Sequence, residues 1–163
     1  MKPPFGEIVD KYINLIYFFA RRWARNEDVD DMVQNTFLKA VHSYNNFQFQ
    51  SDGQLKSWLL TICRNTIIDK GRLSKLMLID PYEIEEVSAE NTGDELLQVT
   101  IKKDEAQRII SALSKMPSAD QEIVKLRVFE EMGFEEIGHV FNITEAAAKM
   151  RFYRTIQKLR GSL

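Results

Sequence analysis

Apolar residues recur along this chain at spacings of three and four, the signature of helices that turn one face inward. The first such run follows Pro3-Pro4 and reaches about Asn26, with Ile8, Tyr12, Leu15, Ile16 and Phe19 facing inward. Arg21, Arg22 and Arg25 at its end favour the negative pole of that helix. A second helix is predicted from near Asp28 to near Tyr44, opening on Asp28, Asp30 and Asp31 and carrying Val33, Phe37, Leu38 and Val41 as its apolar stripe. Asn45-Asn46 and Asp52-Gly53 bracket a short loop that holds Phe47, Gln48, Phe49 and Gln50, with Asp52 as the expected N-cap of a third helix. That helix continues to about Lys75 on Leu55, Trp58, Leu59, Ile62 and Thr66.

Periodicity then stops. The stretch LMLIDPYEIEEVSAENTGDE, with Pro81, Gly93 and an acidic excess, reads as a tether. From about Asp94 helical spacing resumes in four segments. The first ends at Lys115-Met116, before Pro117, which disfavours helix in its predecessor. Ser118-Ala119-Asp120-Gln121 matches a capping box ahead of Ile123, Val124, Leu126 and Val128, and Gly133 is expected to terminate that helix. Phe134 to Phe141, a turn at Asn142-Ile143 and a helix from Thr144 then read as helix-turn-helix. Asn142 falls where a left-handed residue is needed, which asparagine tolerates better than most residues. In the last helix Ala148, Phe152, Ile156 and Leu159 are the expected buried stripe, leaving Ala147, Lys149, Met150, Tyr153 and Arg154 toward solvent or a major groove. The predicted fold is all-α: two small helical domains, residues 1–75 and 94–163, joined by an acidic linker over residues 76–93.

Composition supports a globular chain of one ordinary domain or two small ones, at 163 residues with 44% hydrophobic and 28% charged. Glu7, Asp10 and Lys11 interrupt any apolar run at the N-terminus, which therefore does not read as a signal peptide. No apolar window approaches the ~20 residues that span a bilayer, so direct membrane insertion is not expected and the chain is placed in the cytoplasm. A single cysteine, Cys63, excludes an intramolecular disulfide and reads as a buried, inert thiol.

Charge is unevenly placed. The net charge is -2, but residues 80–105 hold nine acids and two lysines, leaving 20 basic and 15 acidic residues elsewhere. Residues 149–163 hold five basic residues and no acid. Positive charge thus gathers at two places suited to nucleic acid, although the small patches imply weak DNA binding by the free chain.

Several residues invite a chemical reading. The aspartates at 28, 30 and 31 lack companions at ligand spacing, and suit a helix N-terminus better than a metal. His42 and His139 are isolated, and no nucleophile, phosphate-binding loop or metal motif accompanies them, so no enzyme, metal or cofactor is expected. Phe47 reads as a plug at the base of its loop, whereas Phe49, Gln50, Ser51 and Asp52 suit capture of an unpaired base by stacking and hydrogen bonding. Trp58, at helical spacing with Leu55 and Ile62, reads as core ahead of a stacking platform. Lys56, Arg64, Asn65, Lys70 and Arg72 form a polar, basic face suited to phosphates and base edges, with Asp69 orienting a neighbouring basic residue rather than touching DNA.

Two strings carry a resemblance. DDMVQNTFLKA and SWLLTICRNTIIDKGR look like the DLVQ-x-TF-x-KA and WL-x-x-I-x-RN-x-x-x-D-x-x-R patterns of extracytoplasmic-function sigma factors of bacterial RNA polymerase, in order and spacing. The C-terminal EEIG and AAAKMRFYRTIQKL resemble that family's EEIA and GTVKSRL-x-RA-x-x-L, with Ala146, Ala147, Ala148 and Met150 departing from it. The resemblance implies that Asp31, Gln34, Asn35 and Lys39 face the clamp helices of core RNA polymerase, with Asn35 replacing a usual acid. It implies that the loop and third helix meet the minus-ten promoter element, and that Ala147, Lys149, Met150, Tyr153 and Arg154 meet the minus-thirty-five element. It also implies an anti-sigma factor as partner. A stand-alone helix-turn-helix regulator is the alternative, but it gives no reason for the first two strings. An all-helical enzyme using the aspartates with a metal is the third reading.

Overall fold

The computed structural model describes residues 1–71 and 103–163, which form seven α-helices. They are α1 (Phe5–Trp23), α2 (Val29–Tyr44), α3 (Asp52–Asp69), α4 (Lys103–Ser114), α5 (Ser118–Val128), α6 (Phe134–Phe141) and α7 (Glu145–Ser162), with a 3-10 turn at Asn26–Asp28. Arg72, the expected tether at 76–93 and the expected helix end near Lys75 lie outside the described residues.

The first three helices pack mutually. Their buried faces are Ile8, Tyr12, Ile16, Phe19, Ala20 and Trp23 of α1, with Val29, Met32, Val33, Thr36, Ala40 and Tyr44 of α2. Against them lie Leu55, Leu59, Leu60, Cys63, Thr66 and Ile67 of α3. The buried threonines stay satisfied by bonding back along their own helices: Thr36 Oγ1 donates to Met32 O at 2.7 Å and Thr66 Oγ1 to Ile62 O at 2.8 Å. Burial pushes the Cys63 thiol up to about 12, in keeping with an inert thiol.

Three expectations for this half fail. Leu38 and Val41 stand exposed, because α2 is rotated so that Met32, Thr36 and Ala40 face inward. The N-cap of α3 is Ser51, whose side chain accepts from Gln54 N at 3.1 Å, and Asp52 is already helical. Gly53 likewise lies inside the helix. A Cβ there would fall 2.4 Å from the Glu136 carboxylate of α6, the far end of a flexible side chain that would have to shift.

The second half is a four-helix unit around α7. Ser118 is the first helical residue of α5 and makes no capping bond. Gln121 instead donates through Nε2 to Ser114 O and Met116 O, so the expected capping box is replaced by a bridge to the end of α4. Val128 is exposed at the end of α5, and Gly133 starts a helix rather than stopping one: its N–H donates to the Glu136 carboxylate at 2.7 Å. The left-handed residue between the helices is Glu131, at φ 53.

The halves share one core. Trp23 at the end of α1 meets Phe141 of α6 edge to face at 6.4 Å, and Ile137, Val140 and Phe141 join the cluster built by α1, α2 and α3. Polar contacts frame that seam. Arg22 pairs with the buried Glu122 at 3.2 Å and donates to Gln121 Oε1 at 2.6 Å. Burial pushes the Glu122 carboxyl up, and the Arg22 charge opposes this.

Candidate nucleic-acid and polymerase interfaces

The helix-turn-helix obeys local rules. Asn142 adopts φ 54, ψ 44, and Ile143 N donates back to Gly138 O at 2.9 Å, closing α6. Thr144 then caps α7 by accepting from Ala147 N at 3.1 Å. Gly138 makes the tight turn possible, since a Cβ there would fall 2.8 Å from Ile143 O. Beneath the turn Phe134, Phe152 and Tyr153 cluster, with Arg127 stacked over Phe134 at 4.6 Å. Arg151 pins α7 to α5 through Asp120 at 2.6 Å.

The five residues expected to meet the minus-thirty-five element all lie on α7. Lys149 is exposed, and Ala147, Met150, Tyr153 and Arg154 are half-buried. Tyr153 is partly committed to the aromatic cluster. Of the expected buried stripe, Ala148 and Leu159 are buried and Phe152 and Ile156 are half-buried; Thr155 takes an interior position the periodicity did not assign.

The minus-ten side is assembled from distant parts. Tyr44, Phe47 and Trp58 form an aromatic stack at the loop's base, with Phe47 and Trp58 at 4.4 Å and 26°. Phe47 is thus the plug, and Trp58 is half-buried beside it. Lys2 from the N-terminus donates to the carbonyls of Tyr44 and Phe47, holding the loop's entry. Phe49 is half-buried, whereas Gln50, Ser51 and Asp52 are exposed. Asp52 is met by Lys11 of α1 at 2.7 Å, which holds its carboxyl below the usual range. Lys11 escaped sequence reasoning because no local rule links positions 41 residues apart.

Further along α3, Arg64 is half-buried, donates to Asn65 Oδ1 at 3.2 Å, and has its pKa lowered by burial. Asn65 and Lys70 are exposed. Lys56 does not stand free: it donates to Glu130 O at 2.9 Å and pairs with the Glu130 carboxylate at 3.1 Å. On α2, Asp31, Gln34 and Lys39 are exposed and Asn35 is half-buried. Lys39 reaches Asp69 at 3.5 Å, so Asp69 does orient a basic residue, but one on the neighbouring helix. Asp30 and Asp31 lie in the first turn of α2, where they favour the helix dipole. Among the described residues no helix is long and apolar enough to cross a membrane.

The described residues are all helical, with a helix-turn-helix at one end and an exposed, amide-rich loop ahead of α3 at the other, an arrangement of the kind DNA-binding proteins use. Two family models match the chain: Sigma-70 region 2 over residues 8–75 and Sigma-70, region 4 over residues 106–159. The ECF RNA polymerase sigma factor SigM of Bacillus subtilis (strain 168) is 28% identical over 160 residues, covering 95% of this chain and 92% of that one. Two solved structures share the fold. CnrH in complex with the cytosolic domain of CnrY superposes with a TM-score of 0.56 at 24% identity, over 96% of this chain and 85% of that one. The sigma factor RpoE in complex with the anti-sigma factor NepR, from Bartonella quintana, gives 0.58 at 20% identity, over 97% and 95%. The chain belongs to the sigma-70 family, and within it to the extracytoplasmic-function sigma factors.

Proposed function

We propose that this chain binds core RNA polymerase and directs initiation at promoters by recognising the minus-ten and minus-thirty-five elements and holding the melted strand. The observation that carries this is the presence, on one chain, of a helix-turn-helix and of a loop running into α3 on which Gln50, Ser51 and Asp52 are exposed beside a half-buried Phe49. Polymerase supplies the nucleotidyl transfer; this chain recognises and captures, and is not itself an enzyme. Residues 1–75 form the polymerase-binding and melting domain, 94–163 the minus-thirty-five domain, and 76–93 the connection. On α2, Asp31, Gln34, Asn35 and Lys39 meet the polymerase. Lys56, Trp58, Arg64, Asn65, Lys70 and Arg72 extend the minus-ten surface from the loop, and Ala147, Lys149, Met150, Tyr153 and Arg154 read the other element. The protein acts in the cytoplasm. Its structural relatives were captured with CnrY or the anti-sigma factor NepR, which supports an anti-sigma factor as the partner that restrains this chain.

Transcription in vitro with core polymerase over a promoter library tests the function. Promoter-specific transcripts requiring both chain and core are expected. Specific duplex binding by the free chain tighter than about 1 µM at physiological salt, without stimulation of core, would favour the solitary regulator. The loop has its own test. Replacing Phe49, Gln50 and Asp52 together should spare assembly with core but lower the open-complex fraction, because captured bases offset a few kcal/mol of unstacking. Permanganate footprinting should show much of the defect rescued on a pre-melted template. Normal opening on duplex DNA would reject the loop as the melting device.

A further inference from the structure

Within the first module, formed by α1, α2 and α3, the end of α2 is closed from an unexpected quarter. The helix lacks the left-handed residue that closes many helices, for Asn45 stands at φ -60, ψ -33. Its negative pole meets a cation drawn from 42 residues away. The Lys2 ammonium donates to Tyr44 O and, at 2.8 Å, to Phe47 O, and lies 4.1 Å from the centre of the Tyr44 ring. The Tyr44 hydroxyl in turn donates to Pro3 O, and its ring packs 5.3 Å from that of Phe5.

The sequence makes this arm stiff. Each proline fixes its own φ and pushes the residue before it to extended backbone, and Pro4 stands at φ -58, ψ 143 directly ahead of α1. Lys2 is therefore carried on a short extended segment rooted in α1, and ordering it costs little chain entropy. What its ammonium holds is the entry to the loop at residues 48–53. Phe47 lies between Tyr44, at 6.3 Å, and Trp58 of α3, at 4.4 Å. The exit is fixed separately, by Ser51 capping α3 and by Gln50 N–H donating to Gln54 Oε1 at 3.0 Å. Only Gln48 and Phe49 lie between the two anchors.

We propose that Lys2 is a positioning residue for base capture: by closing α2 and clamping the Tyr44–Phe47–Trp58 stack, it holds the loop in the shape that receives an extruded base. This rests on the sigma-factor reading of the chain. Lys2 touches no DNA in this role. Without the ammonium, the carbonyls of Tyr44 and Phe47 turn to water, the stack loosens and the loop samples other shapes. A base then binds only the competent fraction, so capture weakens in proportion to that fraction. Binding to core polymerase is spared, because Asp31, Gln34, Asn35 and Lys39 lie more than a turn before the end of α2.

A lysine isostere made on the folded chain tests this. Lys2→Cys alkylated with bromoethylamine regains an ammonium at nearly the same reach, whereas iodoacetamide leaves the position neutral. Cys63 stays unmodified, because its buried thiol, pushed up to about 12, does not supply the thiolate that alkylation needs. With core polymerase and a promoter recovered from the transcription library, the neutral form should lower the yield of open complexes about threefold to tenfold. The aminoethyl form should match the unaltered chain. A pre-melted template should return much of the neutral form's loss, and the two forms should bind core equally. In the free chain carrying fluorotryptophan, the fluorine resonance of Trp58 should differ between the two forms, and that of Trp23 should not. Equal opening by the two forms would overturn the proposal, as would a Trp58 resonance that ignores the charge. A defect of equal size on both templates would also overturn it, by placing Lys2 in strand contact or in general folding. Failure of the unaltered chain to direct transcription with core would instead sink the sigma-factor reading, and the Trp58 comparison would still judge the clamp.

Discussion

The minus-thirty-five and minus-ten surfaces are built on opposite plans. The first is local: Gly138, Asn142, Thr144 and Ala147 set the turn within ten residues, and its supports, Phe134, Arg127 and Asp120, come from the adjoining helices. The second is assembled from afar. Its loop is held by Lys2 and Lys11, and its helix by Glu130 and Glu136, which lie 74 and 79 residues from Lys56 and Ser57. A local site is rigid on its own. One whose parts are held by the other module is open to regulation, because whatever moves that module changes the site.

The largest expected effect breaks the local plan. Gly138→Ala restores the alanine of the family's EEIA pattern, yet its Cβ would press to 2.8 Å from Ile143 O, a backbone atom fixed by the turn. We expect a loss of about 1–3 kcal/mol in urea unfolding, with the sharpest defect in minus-thirty-five binding. Binding of core polymerase through α2 should persist. Unchanged stability would mean that the turn yields without strain, and that the two surfaces do not differ in rigidity as described.

The same division governs what could be read from the sequence. The bounds of α6, the left-handed Asn142 and the Thr144 cap were legible because each obeys a rule spanning a few residues. Cys63 as an inert thiol followed from its place beside Ile62 in a helix, and Phe47 as a plug from its place at the base of the loop. Leu38 and Val41 were misplaced because periodicity locates a stripe but not the rotation that turns Met32, Thr36 and Ala40 inward in their place. Gly53 and Gly133 were read as turn or stop signals, whereas the positions are shaped by one side chain, Glu136, which abuts the first and accepts from the second. Lys56 was legible as basic and surface-suited, but Glu130 as its partner was not, since that pairing exists only once the modules meet.

Charge removal on each surface sharpens the contrast. Lys149→Ala with Arg154→Ala should weaken promoter engagement and flatten the dependence of log K on log salt by up to about two phosphate contacts' worth. A changed preference at one base pair would identify direct readout in place of phosphate positioning. If neither affinity nor preference moves, α7 meets DNA with another face. Gln34→Ala with Lys39→Ala should lower affinity for core polymerase while helical circular dichroism stays intact. Both side chains are exposed, and the Lys39–Asp69 pair at 3.5 Å is too exposed to add much stability. Undiminished core binding would remove this face of α2 from the interface.

The smallest expected effect concerns the long-range support of the loop. Lys11 and Asp52 are joined at 2.7 Å with 57% and 58% of their side chains exposed, so solvent screens the pair and its contribution should be about 0.5 kcal/mol or less. The hydrogen bond from Lys11 depresses the Asp52 carboxyl, and the same bond raises the Lys11 ammonium. For the carboxyl, stabilisation is present above the ordinary aspartate pKa and lost as pH falls through the depressed folded value. For the ammonium, it is present below the ordinary lysine pKa and lost as pH rises through the raised one. The pair therefore acts across the neutral range and fades at both extremes. Lys11→Met should narrow the urea-midpoint difference between pH 7 and pH 3 by a small, measurable amount, and should raise the Asp52 pKa followed by carboxyl NMR. Because Lys11 lies on α1, that shift would report a loop held by a distant helix. An Asp52 pKa unmoved by Lys11→Met would show that the loop is organised by its own residues, as the turn before α7 is.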